Sequence, residues 1–281
     1  MNKTPKVSII LPTYNRASIL GVCIESVLGQ SYTNWELLIS DDCSSDNTKE
    51  VINHYAKLDS RIKGVVHKCN LGLPRNRNSA LFMAKGQLVF FIEDDLVLHQ
   101  DCLEKLVNTY NSYRNPNTVI VPRLLENIAP DEEAVRHNVP FYINRLTGEI
   151  YNNYGQNFPN VLEIDIGHAC SLYPRDQLLA IDGYEEKAYK GNYCREESDL
   201  NMRLINRGLK FYFQPAAIAD HNKIATGGCR LSGHLKQTYY YARNHIIFLL
   251  RNFGVKSLYM IPCFLIELGR RIFINNLLSH P

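Results

Sequence analysis

The hydrophobic pattern of the first 95 residues alternates between two periods. Residues 7–11, "VSIIL", form an unbroken aliphatic run that stops at Pro12, as a strand buried on both faces requires. Across Ala17–Leu28 the apolar positions 20, 24, 27 and 28 fall at helical spacing. "WELLIS" (35–40) predicts a second strand that ends at Asp41 and Asp42, and "CSSDNT" supplies the turn and cap before a helix through Val51, Ile52 and Tyr55. "IKGVVH" (62–67) predicts a third strand. Pro74 then opens a helix with Ala80, Leu81 and Ala84 as core positions and Gly86 as its stop. "QLVFFI" (87–92) is the fourth strand. This alternation predicts an α/β fold, a mostly parallel central sheet flanked by helices, Rossmann-like in its first half.

Beyond residue 118 the pattern loosens. "TVIVP" and "LKFYFQP" read as strands, "HACSLYP" (168–174) has strand character, and "EESDLNMRLINRG" (196–208) reads as a helix ended by Gly208. Residues 123–163 show no clear period. From about 235 the chain looks helical again, with a Tyr239-Tyr240-Tyr241 cluster and the apolar "IIFLL".

Polar clusters follow each of the first four strands: "PTYNR", "DDCSSDN", "NLGLPRNRN" and "EDD". In open α/β sheets ligands bind beyond the carboxyl ends of the strands, so four such clusters converge on one crevice. Glu93, Asp94 and Asp95 interrupt an otherwise apolar stretch, "FFIEDDLVL". Packed carboxylates repel one another unless a cation neutralises them, and hard oxygen ligands suit Mn²⁺ or Mg²⁺. The bland alternative is an acidic turn; the position at a strand end beside three other polar clusters favours metal. Asp42 is placed to accept hydrogen bonds from a nucleobase or ribose, whereas Asp46 reads equally as a helix cap. Tyr14 and Asn15 are candidates to stack on and hydrogen-bond a base. Arg75 and Arg77 could reach a diphosphate, since guanidinium forks match phosphate oxygens, although such arginines alone are more often solvated helix charges. Glu196, Glu197 and Asp199 form a second acidic cluster at a helix start, where the helix dipole favours acids whatever their function. A lone histidine such as His221 is usually structural.

Composition narrows the classes. The chain of 281 residues is 45% hydrophobic and 21% charged, enough for a large core. Its net charge of +3 is too small for a nucleic-acid binder. Eight cysteines are scattered without a C-x-x-C pair, which argues against a zinc site and for reduced thiols in the cytoplasm. The N-terminus lacks the pattern of a signal peptide. Residues 257–278 are apolar but carry Pro262, Glu267, Arg270 and Arg271, too broken to span a membrane of about 20 apolar residues, and suited instead to lying on its inner face.

Taken together, "VSIILPTYNR", "LLISDDCSSDNT", "NLGLPRNRNSAL", "FFIEDDL" and "EESDLNMRL" resemble glycosyltransferase family 2, inverting enzymes of the GT-A fold, over roughly residues 5 to 221. The resemblance implies a nucleotide-diphosphate sugar donor, a divalent cation, and an acceptor hydroxyl on a glycan or lipid-linked saccharide. It implies that Pro12, Thr13, Tyr14, Asn15 and Asp42 hold the nucleoside, that Arg75 or Arg77 approaches the diphosphate, and that Asp94 meets the ribose. Asp95 becomes the principal metal ligand, with Glu93 in place of the usual first Asp and His221 completing the site. The base position falls on Glu197, again Glu for the usual Asp, with Asp199 in reserve. Inversion would give a β-linkage from an α-linked donor such as a UDP-hexose.

The resulting division is a catalytic domain at 1–221, its nucleotide-sugar half at 1–117 and its acceptor half at 118–221. Residues 222–234 form a basic, glycine-rich loop whose Lys223, Arg230 and His234 either close over the diphosphate or belong to a plain linker. A helical extension follows at 235–281, packing on the domain, touching a membrane, or pairing subunits. Two other functions compete. A sugar nucleotidyltransferase should carry a basic glycine-rich loop directly after strand one, where this chain has "PTYNR". A non-catalytic nucleotide- or glycan-binding protein has no need of the second acidic cluster. The absence of G-x-G-x-x-G after strand one disfavours an NAD enzyme.

Overall fold

The computed structural model describes residues 6–126, 129–222 and 233–278. Strand β1 (Val7–Thr13) is buried along its whole length and lies parallel to β2 (Trp35–Asp41) on one side and β4 (Leu88–Phe91) on the other. Edge strand β3 (Ile62–Val66) pairs parallel with β2. Alternate residues of β1 serve opposite faces, as the two-residue period of a strand dictates. Val7, Ile9 and Leu11 pack with helices α1 (Ala17–Leu28), α2 (Thr48–Leu58) and α4 (Cys102–Tyr113). Ile10 packs on the other face with α3 (Leu73–Met83), α6 (Arg175–Leu179) and α7 (Glu196–Ile205). The expected layered α/β sheet is present.

The sheet is mixed rather than parallel throughout. β10 (Leu172–Pro174) inserts antiparallel between β4 and β6 (Thr118–Leu125), and the long β11 (Lys210–His221) runs parallel to β6. The short β5 (Leu96–Leu98) and β9 (Leu162–Ile164) pair antiparallel with β11. The region that showed no period, 123–163, contains the five-residue helix α5 (Glu132–Arg136) and a hairpin of β7 (Phe141–Ile143) and β8 (Ile150–Asn152). Three-residue strands are too short to leave a periodic trace.

Two pairings fix the geometry that matters. β11 against β5 sets His221 opposite Leu96, directly after the acidic turn, and the Asn222 amide donates to the Asp95 carbonyl at 2.9 Å. β11 against β6 sets Asp220 opposite Leu125, one residue before Glu126. A strand and two loops distant in sequence therefore meet at one sheet end.

Helices α8 (His234–Asn252) and α9 (Ser257–Leu278) pack as a pair on the 140–195 region, around a small core of Tyr189, Phe248, Leu249 and Met260. Gly191, at φ +74°, lets the Tyr240 ring approach so closely that a Cβ there would stand 2.4 Å from it. Asn244 of α8 donates to the Lys190 carbonyl at 2.9 Å, and Arg195 donates to His245 Nδ1 at 3.1 Å. The helices thus brace the segment leading into α7. Among the described residues no helix is long and apolar enough to cross a membrane. Arg271, one of the cations of the 257–278 segment expected to lie on a membrane face, turns its guanidinium inward onto Glu149 instead, at 3.0 and 2.8 Å.

Candidate active site

A cavity of about 1030 Å³ opens at the carboxyl ends of β1, β2, β4 and β11, and all four polar clusters contribute to its wall. On the nucleotide side Pro12, Thr13, Tyr14 and Asp42 line it. Thr13 Oγ1 donates to Asp94 Oδ2 at 2.8 Å, and Arg16 Nε stands 3.6 Å from Asp94 Oδ1. Burial lifts the Asp94 carboxyl to about 7, against the pull of Arg16 and Thr13. The Asp42 carboxylate accepts from the backbone N–H of Leu71 at 2.6 Å and of Gly72 at 3.0 Å, so strand two holds the loop that opens α3. Asn15 departs from expectation and is not on the cavity wall. At φ 52° it cross-links the next loop, its Oδ1 accepting from Ser45 N at 2.8 Å.

The acidic turn forms the second wall. His221 Nε2 lies 3.3 Å from Asp95 Oδ1 and 3.6 Å from Glu93 Oε2, and the three ligand atoms lie within 4.8 Å of one another. Burial opposes charge on His221, but hydrogen bonds to Asp95 and Glu126 and the nearby Glu93 carry it up to about 9. Burial likewise works against the Asp95 anion, yet the histidine holds its carboxyl below the usual range. Two carboxylates and one imidazole converging in this way fit Mn²⁺ or Mg²⁺ in chemistry and in size.

The third wall is α7, whose first turn carries Glu196 and Glu197. Glu197 is half-buried on the cavity. Glu196 is buried behind it, its carboxyl pushed well up by burial and by the adjacent Glu197. Arg77 bridges the two acidic clusters: Nη1 donates to Glu196 Oε1 at 2.7 Å and Nη2 to Glu93 Oε1 at 3.2 Å. Arg77 lines the cavity at only 1% exposure, with Tyr184 beneath its guanidinium.

Other assignments change for similar reasons. Arg75 is 53% exposed, paired with Glu186 at 3.4 Å and off the cavity wall. Asp199 is fully buried; it accepts from Tyr189 ahead of α7, from Arg203 within α7, and from Arg251 and Asn252 of α8, and Arg251, Asn252 and Arg203 hold its carboxyl low despite burial. It does not line the cavity. His234 is exposed at the start of α8 and does not line the cavity, while Lys223 and Arg230 lie outside the described residues.

The sequence reading passed over several wall residues. Arg16 is buried, and its Nε and Nη1 have no hydrogen-bond partner among the described residues. Glu126 bonds His221 Nδ1, and Tyr154 bonds Glu126. His168 donates Nε2–H to the Pro122 carbonyl at 2.9 Å, which leaves Nδ1 without a partner among the described residues, and burial lowers the ring to about 4.

A family model described as Glycosyl transferase family 2 matches residues 8–179. Over 102 residues, 36% of this chain and 40% of the relative, the chain is 40% identical to the UDP-Glc:alpha-D-GlcNAc-diphosphoundecaprenol beta-1,3-glucosyltransferase WfgD of Escherichia coli. It is 38% identical over 108 residues, 38% of this chain and 35% of the relative, to the GalNAc(5)-diNAcBac-PP-undecaprenol beta-1,3-glucosyltransferase of Campylobacter jejuni. The matched stretches span 31–41% of the length of the first such relatives. Among solved structures, S. aureus TarS 1-349 in complex with UDP-GlcNAc superimposes with a TM-score of 0.64 at 17% identity, over 92% of this chain and 71% of that one. The likeness is one of fold, GT-A in type.

Proposed function

The chain belongs to glycosyltransferase family 2, and from that premise we propose that it moves a hexose, with inversion, from a UDP-sugar to a hydroxyl of a glycan or lipid-linked saccharide. The observation that carries this reading is the meeting of two acidic clusters across one cavity, Asp94 and Asp95 with His221 on one wall and Glu197 on another. A binding protein has no use for the second cluster. The names of the relatives, two of them β-1,3-glucosyltransferases with diphosphoundecaprenol acceptors, favour an α-linked UDP-glucose-like donor and a lipid-linked acceptor.

In this reading residues 1–117 form the donor half and 118–221 the acceptor half. Tyr14 and the loop held by Asp42 receive the nucleoside, and Asp94 accepts from the ribose. Glu93, Asp95 and His221 would hold a Mn²⁺ or Mg²⁺ ion, which when bound supplies Lewis-acid neutralisation of the leaving diphosphate. Glu197 takes the acceptor proton as the hydroxyl attacks the anomeric carbon. Glu196, fixed by Arg77, sets the angle at which Glu197 enters the cavity.

A donor screen tests the reading through release of UDP from UDP-glucose and UDP-N-acetylglucosamine with Mn²⁺. Release should stop on chelation, and Asp95→Ala should lower it on the order of 10²–10³-fold, several kcal/mol of transition-state stabilisation. No release from any nucleotide sugar would move the chain to the binding class.

We further place the α8–α9 pair at an anionic membrane surface. Val255, Leu258, Ile266 and Phe273 stand 82, 77, 73 and 65% exposed at roughly helical intervals. Residues 234–278 carry six Lys or Arg and one acid, Glu267, against a whole-chain net charge of +3. The protein should float with phosphatidylglycerol vesicles, and Leu258→Ser with Ile266→Ser should abolish this without changing UDP release. Equal flotation of wild type and variant, or self-association through this face in place of flotation, would reject the placement.

A further inference from the structure

We infer that Glu126, at the end of β6, is a positioning residue for the candidate metal site: it holds the ring of His221 so that Nε2 alone is presented to the cation. This rests on the metal-assisted reading above and goes one residue beyond it. Three observations carry it. The Glu126 carboxylate accepts a short hydrogen bond from His221 Nδ1–H. The opposite ring nitrogen is the one turned toward Asp95 and Glu93. Both partners are nearly shut away from solvent, with 10% of the His221 side chain and 8% of Glu126 exposed, so water does not compete for Nδ1.

The pairing is built from the backbone upward. The β6–β11 register brings residue 126 beside residue 221, across 95 positions of sequence. Tyr154, also on the cavity wall, gives its phenol hydrogen bond to Glu126 and is pushed up in turn by burial and by that carboxylate. Glu126 is thereby fixed between two donors and has little freedom to swing toward the cation site itself. An imidazole can coordinate through either nitrogen, and a carboxylate on one of them selects the other and increases its basicity. A ring without that anchor can rotate about its side-chain bonds, and the ligand set then falls from three groups to two for part of the time.

The probe is Mn²⁺, titrated by electron paramagnetic resonance in the presence of saturating UDP, with UDP affinity in EDTA measured alongside. Glu126→Gln should weaken Mn²⁺ binding about 10–100-fold, the range found for such outer partners. UDP affinity without metal should stay within about twofold, and UDP release should recover when Mn²⁺ is raised in proportion. A merely structural role would lower UDP affinity and thermal stability as well and would show no recovery with metal. Tyr154→Phe, which keeps the ring, should show the same effect in weaker form. Equal Mn²⁺ affinity in wild type and Glu126→Gln overturns the inference while leaving the metal reading intact. If wild type and Asp95→Ala bind Mn²⁺ alike, the metal reading falls and this inference falls with it.

Discussion

Glu197→Gln should lower kcat on the order of 10²–10⁴-fold, the usual contribution of a general base, while UDP affinity and thermal stability stay near wild type. The amide fills the same space on the cavity wall but cannot take a proton. Glu197 belongs to the first turn of α7, where its side chain is half-buried on the cavity while those of Glu196 and Asp199 are buried. Asp199→Asn makes the complementary control. It should act through stability, because it weakens four hydrogen bonds, two of them from Arg251 and Asn252 of α8 and two charge-assisted from arginine. Steady-state kinetics with UDP-glucose and an acceptor, beside thermal melts, separates the two. A Glu197→Gln enzyme with near wild-type kcat would sink the base assignment, and a stable but inactive Asp199→Asn would return the role to Asp199.

The contrast also shows what was legible in the chain. Strands β1, β2 and β4 announce themselves because burial on both faces demands unbroken apolar runs, and their ends locate the crevice. The burial of Arg77 was equally open to inspection. It shares helical phase with Ala80, Leu81 and Ala84, the positions taken as core, whereas Arg75 lies two residues away on the exposed face. Glu126, Tyr154 and His168 were not legible. They are positioned by the β6–β11 register and by short connections around three-residue strands, and pairing between segments some 95 residues apart has no local signature. Asn15 was misread because a polar residue after a strand looks like a ligand; its left-handed backbone and its clamp on Ser45 are local turn chemistry, which Asn accepts more readily than most residues.

The other large effect belongs to Arg77→Met. It should cost about 3–5 kcal/mol, because it leaves the buried Glu196 without its cation. For a domain of this size that is a drop of roughly 10 °C in melting temperature. The guanidinium is 1% exposed and donates to Glu196 from one wall and to Glu93 from the other. Burial disfavours its charge, but Tyr184, Glu196 and Glu93 raise its pKa further than burial lowers it, so the cation persists. Lysine is a poor substitute: a point charge cannot reach both walls as the planar fork does. Adding Glu196→Gln to Arg77→Met should return part of the lost stability, since the second change removes the acid that the first left unpaired, and the size of that return measures the coupling. The phosphate-clamp alternative makes the opposite forecast. Under it Arg77→Met melts normally, loses UDP affinity but not uridine affinity, and gains nothing from Glu196→Gln. Melting curves and the two affinities on three proteins decide between a strut that sets both acidic walls and a ligand for the donor.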